Sequence, residues 1–164
     1  MDRLWAPWRI KYVRNIGKNS NECVFCKIQR EKKDQKNFVV TRAKHAYSVL
    51  NIYPYNNGHM LIVPNRHVSD LSGLRKEERE GLMDLLEAAK KLLDKTMMAD
   101  GYNIGINLGK IAGAGFPRHV HIHLVPRWQG DVNFMPVTGH TKVISQSLKA
   151  LHGQLLKATK ALKK

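Results

Sequence analysis

Arg118-His119-Val120-His121-Ile122-His123-Leu124-Val125-Pro126 places a histidine at every second position and an apolar residue between them. Successive side chains of a strand alternate faces, so the run predicts His119, His121 and His123 on one face and Val120, Ile122 and Leu124 towards a core. Neighbouring imidazoles on that face stand about 6.5 Å apart along the strand, close enough to act on one anionic group. A helix would fan the three around its axis at roughly 100° steps, and β-branched Val120, Ile122 and Val125 favour the strand. The run is interior and interleaved with β-formers, unlike a terminal homopolymeric tag.

Upstream, Gly109-Lys110-Ile111-Ala112-Gly113-Ala114-Gly115-Phe116-Pro117 leads directly into the histidines. Gly109, Gly113 and Gly115 let backbone N–H groups approach phosphate oxygens closely, as in an anion nest. A glycine-rich loop alone is also the signature of a flexible turn; its position one strand entry away from three imidazoles is what marks it. Before it, Tyr102 to Leu108 alternates as a strand. Leu82, Leu85, Leu86, Ala89, Leu92, Leu93 and Met97 recur with a 3.6-residue period, predicting a helix capped at Ser72 and ended by Asp100-Gly101.

Phe38 to Thr41 and Ala46 to Leu50 predict a hairpin, and Asn51 to Gly58 a loop that delivers the chain into the apolar strand His59 to Pro64. Cys23 to Lys32 predicts a short helix. A last amphipathic helix carries Ile144, Leu148, Leu151, Leu155, Ala158 and Leu162 on one stripe. Together these elements predict one α+β domain over residues 1–164, with an N-terminal arm (1–20), a core (21–135) and a C-terminal helical extension (136–164). The arm gathers Trp5, Trp8, Arg9 and Tyr12 around Pro7, an aromatic and basic cluster suited to packing on the domain or on another subunit.

The chain has 164 residues, 43% of them hydrophobic and 25% charged, the profile of a soluble globular protein. No apolar run approaches the roughly 18 residues that cross a bilayer, and Met1 to Trp8 lacks the features of a signal peptide. A cytoplasmic location is the expectation. Lys and Arg number 28 against 13 Asp and Glu, a formal charge of +15. Such an excess attracts anions, whether nucleotides, nucleic acid or membrane surface, without choosing among them. A nucleic-acid-binding module is one reading of this charge, but the basic residues form no single stripe and match no RNA-binding motif.

Two cysteines in a cytoplasmic chain argue against a disulfide framework. The spacing Cys23-Val24-Phe25-Cys26 leaves zinc ligation, redox chemistry or chance. A redox pair of the thioredoxin kind would follow a core strand, whereas this one follows Lys18 to Glu22, which is polar. Zinc is favoured if two further ligands exist.

His119-Val120-His121-Ile122-His123-Leu124-Val125 resembles the signature of the histidine triad superfamily, His-φ-His-φ-His-φ-φ with φ apolar. The likeness extends to Cys23-x-x-Cys26, to Gly58-His59-Met60-Leu61-Ile62-Val63-Pro64 and to the Asn107 to Gly115 loop. The flanks Leu4-Trp5-Ala6-Pro7-Trp8-Arg9 and Pro126-Arg127-Trp128-x-Gly130-Asp131-x-Asn133-Phe134 resemble the bacterial branch that contains diadenosine tetraphosphate phosphorylases.

The resemblance implies a histidine triad fold: about five antiparallel strands, one major helix and a C-terminal helix, assembled as a homodimer or larger. It implies a nucleotidyl hydrolase or transferase in which His121 attacks the α-phosphorus, His123 contacts the phosphate and assists the leaving group, and His59 buttresses the site. Neutral imidazole is a competent nucleophile at pH 7, which makes that chemistry reasonable. Asn51 corresponds to the ribose contact, Asn107, Gly113 and Gly115 fall where phosphate is bound, and Leu50 and Ile52 are candidates to flank the base. Gly115-Phe116-Pro117 departs from relatives that carry a side-chain amide or hydroxyl there. The resemblance also maps zinc ligands onto Cys23, Cys26, His67 and His119, a closed structural set. The implied acceptor is water or inorganic phosphate. A nucleoside phosphoramidate hydrolase and a nucleotide-binding regulator with little turnover are the alternatives.

Overall fold

The computed structural model describes residues 22–132, 134–138 and 143–162. The arm residues Trp5, Trp8, Arg9 and Tyr12, together with Asn133, lie outside them. Helices α1 (Val24–Glu31) and α2 (Asp34–Asn37) come first. Strands β1 (Val39–Arg42), β2 (Ala46–Leu50) and β3 (Met60–Pro64) follow, then α3 (Lys76–Met97), β4 (Gly101–Ile106), β5 (Ile122–Arg127), the single-turn α4 (Met135–Thr138) and α5 (Leu148–Leu162). The five strands form one antiparallel sheet in the order β1-β2-β3-β5-β4.

The strand period divides the sheet into two faces. Ala46, Leu50, Met60, Ile62, Ile122 and Leu124 pack against Leu82, Leu85, Leu86, Ala89, Leu92 and Leu93 of α3 and against Leu151 and Leu155 of α5. Tyr47, Val49, Leu61 and Val63 face the other way and pack with Phe25 of α1. Both faces of β2 and β3 are therefore covered, which is why those strands are apolar almost throughout. Leu50 is 2% exposed on the helix-covered face; the same alternation that places Ala46 there removes Leu50 from any base contact.

Four boundaries differ from the sequence expectation. Ser72 is not the cap of α3; it sits in a 3-10 turn (Leu71–Gly73), where its N–H and hydroxyl both donate to Asp70 Oδ1. The cap is Arg75, whose N–H is accepted by Glu78 Oε2 at 2.8 Å. At the other end α3 stops at Met98, in the left-handed region with φ of 48°, two residues before Asp100. The histidine strand begins at Ile122 rather than Arg118. His119 N–H closes a turn onto Phe116 O at 3.2 Å, and Val120 N–H donates to Val68 O at 2.7 Å, so these residues are engaged outside the ladder. Of the final stripe, Ile144 lies before the helix.

Candidate functional site

The face of the sheet away from α3 carries the candidate site residues. His123 stands on β5 opposite Leu61 of β3, and His59 immediately precedes β3. His121, His123, Asn51, Gly113 and Gly115 line one pocket with Tyr53, Tyr55, Leu61 and Phe116. The His121 and His123 ring centroids are 4.9 Å apart. Asn107 is not among the lining residues, although its Nδ2 lies 3.9 Å from where a Cβ on Gly113 would be. Gly113 itself has φ of +87°, a conformation that side-chain-bearing residues rarely adopt.

Hydrogen bonding fixes which imidazole nitrogens carry protons. His121 Nδ1 lies 2.9 Å from His119 O; a carbonyl only accepts, so Nδ1 carries the hydrogen and Nε2 keeps a lone pair. Burial lowers the His121 pKa from its ordinary value, which keeps the ring neutral. Tyr55 N–H donates to His59 Nδ1 at 3.0 Å, and Asn51 Nδ2 lies 3.3 Å from the same atom. His59 therefore has its proton on Nε2, which stands 2.9 Å from His123 Nδ1. His123 must accept there and carry its own proton on Nε2. That atom is buried with no hydrogen-bond partner among the described residues. Burial first, then the adjoining imidazole of His121, lowers the His123 pKa to about 4. The pocket thus holds an imidazole lone pair on His121 and an imidazole N–H donor on His123.

His119 turns away from this pair. Its Nε2–H donates to Pro64 O at 3.0 Å, leaving Nδ1 as a lone pair 3.3 Å from Cys23 Sγ and 3.7 Å from Cys26 Sγ. Cys26 Sγ is 3.2 Å from His67 Nδ1. The four donor atoms lie within 4.8 Å of one another and can hold a metal ion. A tetrahedral ion with Cys and His ligands spaces S and N donors by about 3.5 Å, so the set fits. Burial, then the neighbouring Cys23, pushes the Cys26 thiol up to about 11; a divalent cation reverses that bias by binding the thiolates. The carbonyl of Pro64 fixes the His119 tautomer, as outer partners of ligating histidines do.

The sequence did not single out Tyr55, whose ring stacks on His123 with centroids 5.7 Å apart. Nor did it single out Phe25 and Phe116 as neighbours of the histidines. Phe25, set between the two cysteines, is 5.0 Å from the His121 ring and 5.3 Å from both His119 and Phe116. The aromatic density around the histidines was the available signal for Tyr55; nothing local pointed to Phe25.

A five-stranded antiparallel sheet with paired histidines on one face and a Cys/His cluster beside them defines a histidine triad protein, and the chain belongs to the HIT domain family, whose model matches residues 32–130. It is 38% identical over 156 residues to an AP-4-A phosphorylase of Mycobacterium tuberculosis, covering 91% of this chain and 80% of that protein. It is 39% identical over 105 residues to an adenosine 5'-monophosphoramidase of Saccharomyces cerevisiae, covering 64% of this chain and 62% of that one. Among solved structures, a Zn-bound histidine triad family protein from Mycobacterium smegmatis aligns with a TM-score of 0.70 at 26% identity, over 88% of this chain and 98% of that one.

Proposed function

We propose that this chain is a nucleotidyl hydrolase or transferase acting at the α-phosphate of adenine dinucleotides, with diadenosine polyphosphate as substrate. The observation that carries the reading is the His121 lone pair on Nε2 beside the His123 proton on Nε2, in one pocket. The His121 lone pair forms an N–P bond while the P–O bond to the leaving polyphosphate breaks. The departing oxygen takes the Nε2 proton of His123. Positive charge developing on His121 is met by the His119 carbonyl, and the backbone N–H of Gly115, which lines the pocket, neutralises phosphate charge, the Gly113 N–H being committed to Lys110 O at 3.0 Å. The acceptor then attacks phosphorus, the N–P pair returns to His121, and the acceptor's proton returns to His123.

Inorganic phosphate is the favoured acceptor, supported by the 91% of this chain that aligns with a phosphorylase. Diadenosine tetraphosphate incubated with and without phosphate tests it: ADP plus ATP formed only with phosphate is the expected result, and AMP plus ATP would make water the acceptor. The monophosphoramidase relative supports a second reading, hydrolysis of nucleoside phosphoramidates.

In the same reading Asn51 meets the ribose, Asn107 the phosphate, and His59 holds His123. Cys23, Cys26, His67 and His119 hold zinc, which supplies a closed structural link rather than a catalytic position. The chain is one domain, placed in the cytoplasm; no helix among the described residues is long and apolar enough to cross a membrane. It assembles as a homodimer, a reading supported by the outer edge of β4, where Ile104 is exposed.

A further inference from the structure

Residues Pro126 to Asp131 run from the end of the histidine strand into the turn after it and do not line the pocket, yet the Asp131 side chain is only 7% exposed. Its Oδ2 accepts from Asn56 Nδ2 at 2.7 Å, from Arg127 Nε at 2.6 Å and from Trp128 N–H at 3.2 Å, and its Oδ1 accepts from Arg127 Nη2 at 2.9 Å. Asn56 is buried, and its Nδ2 also donates to Pro126 O at 3.0 Å. Both protons of that amide are therefore committed, one of them to a carboxylate, the stronger kind of acceptor.

Asn56 anchors a turn. His59 N–H closes it onto Asn56 O at 3.2 Å. Gly58 passes through φ of +77°, where a Cβ would meet Met97 Sδ at 2.6 Å and Pro126 Cγ at 3.0 Å, so the turn is seated tightly between α3 and β5. The residue before Asn56 is Tyr55, whose N–H selects the His59 tautomer and whose ring covers His123.

We propose that Asp131 is a positioning residue for His123: through Asn56 it holds the Tyr55 turn where the protons of His59 and His123 are both kept on Nε2. This rests on the reading of His123 as the leaving-group donor. Loss of the carboxylate removes the acceptor of one Asn56 amide proton, the Tyr55 N–H leaves His59 Nδ1 with the longer Asn51 contact as its remaining donor, and His59 and His123 divide between tautomers. A His123 protonated on Nδ1 has no proton to give the leaving group.

The test reads imidazole nitrogen resonances in the full chain, wild type against Asp131→Asn and Asn56→Ala. Asn56→Ala retains the Arg127–Asp131 pair, so it decides the matter even if Asp131→Asn fails to fold. The expected result is Nε2-protonated His59 and His123 in wild type and a mixture in the variants, with His121 unchanged. Turnover is read on two AMP derivatives: a p-nitrophenyl ester, whose leaving group departs without a proton, and an alkylamine phosphoramidate, whose leaving group needs one. The variants lower kcat roughly 10- to 100-fold on the phosphoramidate, with little effect on the ester and KM within about twofold. Wild-type tautomers in a folded Asn56→Ala overturn the proposal, as does an equal loss on both substrates. If wild type turns over no nucleotide, the functional reading fails, and the imidazole resonances still decide whether Asp131 sets the tautomers.

Discussion

Phe25 sets its ring 5.0 Å from that of His121 while its neighbours in sequence, Cys23 and Cys26, bring their sulfurs to His119 and His67. One short helix and its N-cap therefore face the Cys/His cluster with their cysteines and the pocket with the phenyl ring. Its carbonyl at Phe25 also accepts from the Tyr47 hydroxyl at 2.9 Å, tying the helix to the interior strand β2. Phe25→Ala removes the surface against which His121 is held. It is expected to cost about 3–5 kcal/mol of stability and to lower kcat, with metal content retained. Thermal unfolding, turnover and elemental analysis on one preparation check the three parts.

The Cys23, Cys26, His67 and His119 cluster gathers residues far apart in sequence, so a metal ion held there would tie α1 to the sheet. Protein purified without chelators is expected to carry one zinc per chain. Cys26→Ser is expected to lose it and to lower Tm by at least roughly 2–4 °C, the equivalent of about 1 kcal/mol in a chain of this size. Absence of zinc from the wild-type protein contradicts the assignment.

Stability falls with acid in two windows. Burial first, then the adjoining imidazole of His121, holds His123 to about 4 against an ordinary 6.5. The unfolded chain therefore gains a proton first as pH falls from about 6.5, and stability declines down to about 4. Glu78 is held to about 2 against an ordinary 4.5, chiefly by its hydrogen bond with Arg66. Its contribution is complete above about 4.5 and is lost as pH falls towards 2. Unfolding measured across pH is expected to show a flatter slope in the upper window for His123→Asn and in the lower window for Glu78→Gln.

The C-terminal helix is part of the core. Leu151 and Leu155 are buried among α3 and sheet residues, and the buried His152 Nε2–H donates to Val39 O at 2.8 Å. Leu155→Ala is expected to destabilise by about 2–5 kcal/mol. His152→Ala leaves the Val39 carbonyl without that donor and is expected to cost about 1–3 kcal/mol. Denaturant titration of each variant reads the loss directly.

Much of the fold follows from period. Met60 to Pro64 and Ala46 to Leu50 read as strands because both faces are buried, and Leu82 to Leu93 as a helix because one face is. The start of α3 was not legible, since Asp70 captures Ser72 and leaves capping to Arg75, a residue with no intrinsic preference for that position. The Cys/His cluster was legible through the resemblance, and its four donor atoms do converge. Tautomers were not. They depend on Tyr55 N–H reaching His59, on His59 reaching His123, and on Asn56 and Asp131 meeting across 75 residues of chain. Such contacts leave no periodic trace in sequence.

The most direct measurement is the site of the covalent intermediate. Protein mixed briefly with diadenosine tetraphosphate and quenched in alkali, where a phosphorus–nitrogen bond to histidine survives, is digested and its modified peptide sequenced by mass spectrometry. One adenylyl group on His121, absent from a folded His121→Ala that also has no turnover, is the expected result. An adenylyl group on another residue, or full turnover by His121→Ala, contradicts it.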